Sequence, residues 1–260
     1  MIIEKKLIKK MGIIQSRGLG DIIIALPIAH YYYTKENYQI YWPILEEFLP
    51  SLQTSIPWIK WIPLPYDPQG QYFYNTPLER LKNFDCTFIL PLYQALTGHK
   101  FHEETCFQHT KFDQHKYIMA QVPFLEKWNL KPCITRDLEK EQLLYSKLVT
   151  NPNYCIIHLE GSDSQADFDK SIIPRDWQLI YITKSYTDNI FDWLTLLEKA
   201  QALILVDSAF ANLADQLSIN KDLYFIPRSH NGLTPVLGNH WTWITNTRLD
   251  PKANTIRLGS

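Results

Sequence analysis

The sequence predicts an α/β protein of two Rossmann-like lobes, each a mainly parallel sheet covered by helices, facing one another across a cleft. Three observations carry that expectation. Apolar strand-like runs alternate with helical patterns along the chain, which favours parallel pairing. Two strand-to-helix corners stand out: Ser16-Arg17-Gly18-Leu19-Gly20-Asp21 near the start, and Asp207-Ser208 between the apolar run 203–206 and the helical pattern that follows. Such corners present free backbone N–H groups at a helix N-terminus, where anions bind. Finally, Asn151-Pro152-Asn153 breaks the pattern, so the lobes are expected at 1–150 and 151–260.

In the first lobe, residues 11–16 read as a buried strand, and Gly18 and Gly20 supply the turn. A helix is expected over 21–35, kinked at Pro27 because proline lacks the N–H and clashes with the preceding turn. Strands are expected at 39–42, 59–64 and 86–92, short helices at 43–49 and 76–83, and a loop over 65–77, rich in proline and tyrosine. Helical patterns at 117–128 and 137–149 close this half. In the second half the pattern gives strands at 154–159, 177–183, 203–206 and 223–226, with helices at 190–200 and 210–217.

Size and composition exclude several classes. The chain has 260 residues, 45% of them hydrophobic and 20% charged, as in ordinary globular proteins. A formal net charge of −1 supplies no global field for nucleic acid or anionic lipid. Cys86, Cys106, Cys133 and Cys155 form no CxxC pair, so free thiols in a reducing cytoplasm are expected. The first ten residues are too basic for a secretory signal, and no run of apolar residues is long enough to span a membrane.

Candidate functional residues cluster at the strand ends. The Gly18-Leu19-Gly20 turn lets a ligand approach the backbone, although the full GxGxxG pattern is absent. Asp21 has two compatible readings: an N-cap of the helix it opens, or a general base for an attacking hydroxyl. Arg17 pairs with phosphate or with Asp21. Gly161 and Ser162 follow a strand end, where open α/β sheets bind ligands. Lys170 reads either as a solvated lysine or as a mobile charge for a diphosphate. Asp207 and Ser208 read as caps, or with Ala209 as a phosphate-binding turn, and Arg228, Ser229, His230 and Gly232 occupy the next such turn. His99, His102, His109 and His115, with Glu103 and Glu104, suggest a mobile loop rather than a metal site, since no HExxH or HxxxH pair occurs. There is neither a GxSxG elbow nor a P-loop.

Taken together, these motifs resemble the heptosyltransferase-like glycosyltransferases, family 9 of the GT-B fold. That family opens with a strand, an Arg-Gly-x-x-Gly-Asp turn and a proline-containing helix; Arg17-Gly18-Leu19-Gly20-Asp21 with Pro27 is similar, with tighter glycine spacing. Its second lobe carries Pro-Gly-Ala/Ser, then a lysine shortly before Trp-Pro; Glu160-Gly161-Ser162 and Lys170-Ser-Ile-Ile-Pro174 are similar, with Ile173 in place of the tryptophan. The family's Asp-Ser/Thr-Gly-x-x-His-Leu-Ala corresponds to 207–214, where Ala209 replaces the glycine and Asn212 the histidine.

The resemblance implies a compact GT-B-like enzyme with an acceptor-side first lobe and a donor-binding second lobe. It makes Asp21 the catalytic base. Lys170 and the Ser208/Ala209 turn bind the donor diphosphate, and Asp207 lies near the nucleotide. The chemistry inverts the anomeric centre and needs no metal or other cofactor beyond the nucleotide sugar. The expected acceptor is a glycan such as a lipopolysaccharide-type saccharide. Two alternatives stand beside it. One is transfer to a hydroxymethylated base in DNA, which needs base extrusion and finds a basic-aromatic patch in Lys100, His102, His109, Lys111, His115 and Lys116 interleaved with aromatic residues. The other is a catalytically silent nucleotide-sugar-binding module, which Ala209 and Asn212 keep open.

Overall fold

A computed structural model describes residues 9–90, 110–162, 164–219, 221–228, 234–238, 240–245, 247 and 249–251. The chain divides into two compact units, 1–135 and 136–260. The division falls before the break expected at 150, and a side-chain cluster explains why. Arg136 forks onto Glu141 and Glu198, with Nη1 2.7 Å from Glu198 Oε1. Glu141 in turn accepts from the Thr195 amide (3.0 Å) and hydroxyl (2.7 Å). Helix Leu138–Leu148, capped by Asp137, is thereby fastened to the segment around 195 and belongs to the second unit.

The first unit is built on a four-stranded, wholly parallel sheet: β1 (Lys9–Ile14), β2 (Tyr38–Leu45), β3 (Lys60–Leu64) and β4 (Cys86–Ile89), in the order β3-β2-β1-β4. Helix α1 (Leu19–Thr34) crosses over from β1 to β2. Residues 22 to 29 of α1 are all buried, the condition under which a helix is apolar all round rather than on one stripe. Pro27 leaves the Ile23 carbonyl without its helical donor, and one residue on the Tyr117 hydroxyl donates to Ile24 O at 2.9 Å.

Several elements differ from the sequence expectation, among them the helix expected at 190–200, which is a 3-10 turn at Ile190–Trp193 followed by a helix at Leu194–Lys199. Residues 43–45 extend β2 instead of opening a helix, because Pro43 lies beyond the last β1–β2 partner pair (Gly12–Tyr41) and needs no donor on that side. The helix α2 (Leu49–Ser55) starts after a 3-10 turn at Glu46–Phe48, and α3 (Asn75–Leu81) precedes β4. The helix expected at 117–128 is instead α4 (Phe112–Met119) followed, past Pro123, by a 3-10 turn at Phe124–Trp128.

The second unit holds α5 (Leu138–Leu148) and a five-stranded parallel sheet. Its strands are β5 (Tyr154–His158), β7 (Gln178–Tyr181), β8 (Ala202–Val206), β9 (Asp222–Ile226) and β10 (Trp241–Trp243), in the order β10-β9-β8-β5-β7. A small antiparallel pair, β6 (Ser164–Ala166) with β11 (Leu249–Pro251), sits beside it. Cys155, Ile157, Ile204, Val206 and Ile226 form its core with Phe168 and Ile173. Helices α6 (Leu194–Lys199) and α7 (Ala209–Gln216) flank β8 in sequence. Each unit is therefore a Rossmann-like layer, as expected. Among the described residues no helix is long and apolar enough to cross a membrane.

Candidate active site

In the first unit the chemistry gathers where β1 ends. Gly18 is the N-cap of α1 at φ +80°, a left-handed conformation that favours glycine. Its carbonyl accepts from Ile22 N at 2.9 Å, and Gly20 is the second residue of the helix. A Cβ at position 18 would stand 2.8 Å from Asp21 Oδ2, so the missing side chain makes room for that carboxylate. Asp21 accepts no capping bond of the ordinary kind: Gly18, not Asp21, is the cap.

The residue that holds Asp21 comes from far along the chain. Lys116, on α4, places Nζ 3.0 Å from Asp21 Oδ1, 2.7 Å from Gln15 Oε1 and 3.3 Å from the Leu90 carbonyl. Its side chain is 2% exposed, whereas that of Asp21 is 36% exposed. Gln15 completes the arrangement by donating to Arg17 O at 2.8 Å. A buried ammonium is costly unless every donor is used. Here its three acceptors are one carboxylate, one amide and one backbone carbonyl, and the carboxylate stays open to solvent.

Arg17 does not pair with Asp21. Its guanidinium donates to the Tyr72 hydroxyl at 3.0 Å, lies 5.9 Å from the centre of the Phe73 ring, and faces a cavity. Burial of Lys116 removes it from the surface basic patch expected around residues 100–116. His115 is half-buried, and burial, with Lys116 beside it, pushes its imidazole below the ordinary value. Residues 91–109, with His99, His102 and His109, lie outside the described residues, as do Ser229, His230 and Gly232.

In the second unit, parallel pairing brings the ends of β5, β8 and β9 side by side. Ser208 caps α7 in extended conformation (φ −158°), yet its hydroxyl makes no capping bond and stands 3.1 Å from His158 Nδ1, at the end of β5. The His158 ring packs on Phe210, with centroids 4.8 Å apart. Arg228 Nη1 donates to Ser162 Oγ at 2.7 Å, and a Cβ on Gly161 would fall 2.4 Å from Arg228 Cδ. Gly161, Ser162 and Arg228 thus form one cluster, and Ser208 with His158 a second on the same sheet edge. Ala209 is the first residue of α7. Asn212, 4% exposed, donates to Ser208 O at 3.0 Å. Asp207 is buried, with its amide bonded to Ile226 O at 2.8 Å. Lys170 stands apart: it is exposed, with Nζ 5.7 Å from the centre of the Tyr181 ring. Ile173, in the place of the family tryptophan, packs in the core.

The sequence placed Lys116 in a basic patch rather than beside Asp21, and gave His158 no role. Nothing local distinguishes a lysine that packs inward across a fold from one in solvent. His158, by contrast, is a polar residue ending an apolar strand, and that position was a readable signal.

The solved structures give this architecture a name. The E. coli ADP-heptose lipopolysaccharide heptosyltransferase II matches over 91% of this chain and 90% of its own, with TM-score 0.51 and 11% identity. A family 9 glycosyl transferase from Veillonella parvula matches over 91% and 85%, with TM-score 0.51 and 9% identity. The chain has the fold of the heptosyltransferase-like glycosyltransferases. The iron-containing heptosyltransferase TibC, solved with ADP-D-beta-D-heptose, shares this fold with TM-score 0.51 and 12% identity, over 92% of this chain and 65% of its own. No protein-family signature and no curated protein sequence matches the chain, so the heptosyltransferase-like likeness lies in the fold and not in overall sequence. Among the described residues no cluster of three or more His, Cys, Asp or Glu side chains is placed to hold a metal ion.

Proposed function

We propose that this protein is a glycosyltransferase that moves a sugar from a nucleotide diphosphate sugar to an acceptor hydroxyl, with inversion at the anomeric carbon. The observation that carries the reading is the Lys116–Asp21 pair: a solvent-open carboxylate held from below by a buried ammonium at the C-terminal edge of a parallel sheet. The fold shared with nucleotide-sugar enzymes supports it.

In this reading Asp21 takes the proton of the acceptor hydroxyl as its oxygen bonds to the anomeric carbon. The bond from that carbon to the diphosphate breaks, and the electron pair leaves with the diphosphate. The second unit receives that charge. The free N–H groups at the start of α7, the Ser208 hydroxyl, Arg228 and Lys170 are the donors it offers. Ala209 keeps the backbone N–H that the family glycine supplies, and Asn212 spends its amide on Ser208 O, which braces the turn. A metal ion is not required for this step, because fixed dipoles and side-chain cations perform the same electrostatic work. The acceptor is a glycan hydroxyl. The DNA alternative loses Lys116, which is buried.

A thermal-shift screen of nucleotide sugars tests the reading, since a ligand bound only by the native state raises Tm. The best donor is then followed by turnover. Asp21→Asn is expected to keep the donor-induced shift and to lower kcat by about 10²- to 10⁴-fold, the usual contribution of a general base. A donor shift with no turnover in either form would instead identify a silent binding module.

A further inference from the structure

The first unit contains a cavity of about 320 Å³ lined by Arg17, Leu45, Glu46, Glu47 and Tyr66. We propose that this cavity is the acceptor site, and that it takes a neutral or amine-bearing sugar ring in preference to a phosphorylated or uronic one. The inference rests on the transferase reading of Asp21 and adds the class of acceptor.

Position is the first argument. Arg17 follows β1, Leu45 ends β2 with Glu46 and Glu47 after it, and Tyr66 follows β3. The lining thus comes from three adjacent strand ends, the edge at which parallel α/β sheets bind ligands. The volume is at the lower end of the range for small-molecule sites, enough for a ring rather than an extended chain. Arg17 also precedes Gly18, against which Asp21 Oδ2 packs, so one turn carries both a cavity wall and the proposed base.

Charge is the second. Two carboxylates and one guanidinium line the cavity, and among the described residues none of the three is ion-paired. Arg17 is already held by Tyr72 and Phe73. Sugar hydroxyls suit this set, donating to the carboxylates and accepting from the guanidinium. A phosphate or carboxylate on the ring would face two like charges against one opposite charge. An amine would meet the reverse balance.

The third argument is Tyr66, which is 64% exposed yet tilted onto Tyr72 at 5.6 Å between ring centres. Tyr72 in turn packs on Phe73 at 4.5 Å. A braced aromatic face at a cavity mouth is an apolar platform for the C–H face of a sugar ring.

Saturation-transfer NMR on the full chain tests this, with methyl glucoside, methyl glucosaminide, methyl glucuronide and glucose 6-phosphate as probes. The first two are expected to bind at least about tenfold tighter than the two anions, a difference of one decade in Kd. The double substitution E46Q/E47Q should bring the anions to within about threefold of the neutral sugar, and Tyr66→Ala should weaken the neutral sugar about fivefold. Anions binding as tightly as neutral sugars, binding insensitive to Tyr66→Ala, or no binding by any probe would overturn it. The donor thermal shift is read on the same samples. A donor that raises Tm while no probe binds sinks the acceptor inference and leaves the transferase reading standing. Probes that bind while no donor is recognised sink the transferase reading, and the acceptor role with it.

Discussion

Lys116 Nζ lies 3.0 Å from Asp21 Oδ1, and the two residues differ sharply in surroundings: the lysine is buried and the aspartate is half-open. Since Gln15 and Leu90 O occupy the other donors, the ammonium fixes the carboxylate from one side only. Replacing it with methionine keeps the volume but leaves Gln15 Oε1 and the Leu90 carbonyl without this donor, so Lys116→Met should cost about 1–3 kcal/mol of stability. The carboxylate would lose its anchor. Turnover should fall about 100-fold, the cost of roughly 1 Å of misplacement, with donor KM unchanged. Steady-state kinetics on Lys116→Met and Lys116→Arg check this; a drop in donor affinity with kcat intact would refute it.

Gly18 is a second route to the same carboxylate. Gly18→Ala forces a Cβ into the left-handed region and to within 2.8 Å of Asp21 Oδ2. Stability should fall by about 1–2 kcal/mol, the penalty for that conformation, measured by urea unfolding. Activity should drop further than the unfolded fraction explains, because the new methyl displaces the carboxylate.

The Arg136 fork makes a prediction about stability alone. Glu141 is 1% exposed on its side chain and is matched by one guanidinium. Arg136→Met leaves a buried carboxylate without its cation, which costs about 3–5 kcal/mol. The loss should appear as a lower unfolding midpoint, and Arg136→Met combined with Glu141→Gln should recover much of it, since neither charge remains. An unchanged midpoint in the single variant would show that the fork is dispensable.

Acid should destabilise the first unit through two histidines. Burial holds His30 below its ordinary value of 6.5, with Glu126 opposing, and burial with Lys116 does the same to His115. A depressed imidazole means that the unfolded chain takes up protons first. Stability is therefore complete above the unfolded value and declines as pH falls through and below about 6.5. Tm should drop between about pH 7 and 5.5, and the pair of substitutions His30→Asn and His115→Asn should flatten that slope.

Much of the fold was legible before any coordinates. The apolar runs at 11–16, 154–159 and 203–206 became β1, β5 and β8 with small shifts at their ends, because a parallel strand buried on both faces must be continuously apolar, and the run at 59–64 became the half-exposed edge strand β3. The two corners were legible for a different, local reason: Gly18 marks a left-handed backbone conformation and Ser208 a helix start. The helix around 117 was misplaced because its boundary depends on Pro123 and on the 3-10 turn after it.

By itself the sequence determined the alternation of strand and helix, the two strand-to-helix corners and Asp21 beside the first, since periodicity and turn chemistry are local properties. Tertiary structure alone decided that Lys116 reaches Asp21, that Arg17 turns to Tyr72, that His158 meets Ser208, and that helix 138–148 joins the second unit. Each of those is a contact between residues remote in the chain, formed when a sheet aligns its strand ends, and no local pattern of residues encodes such a meeting.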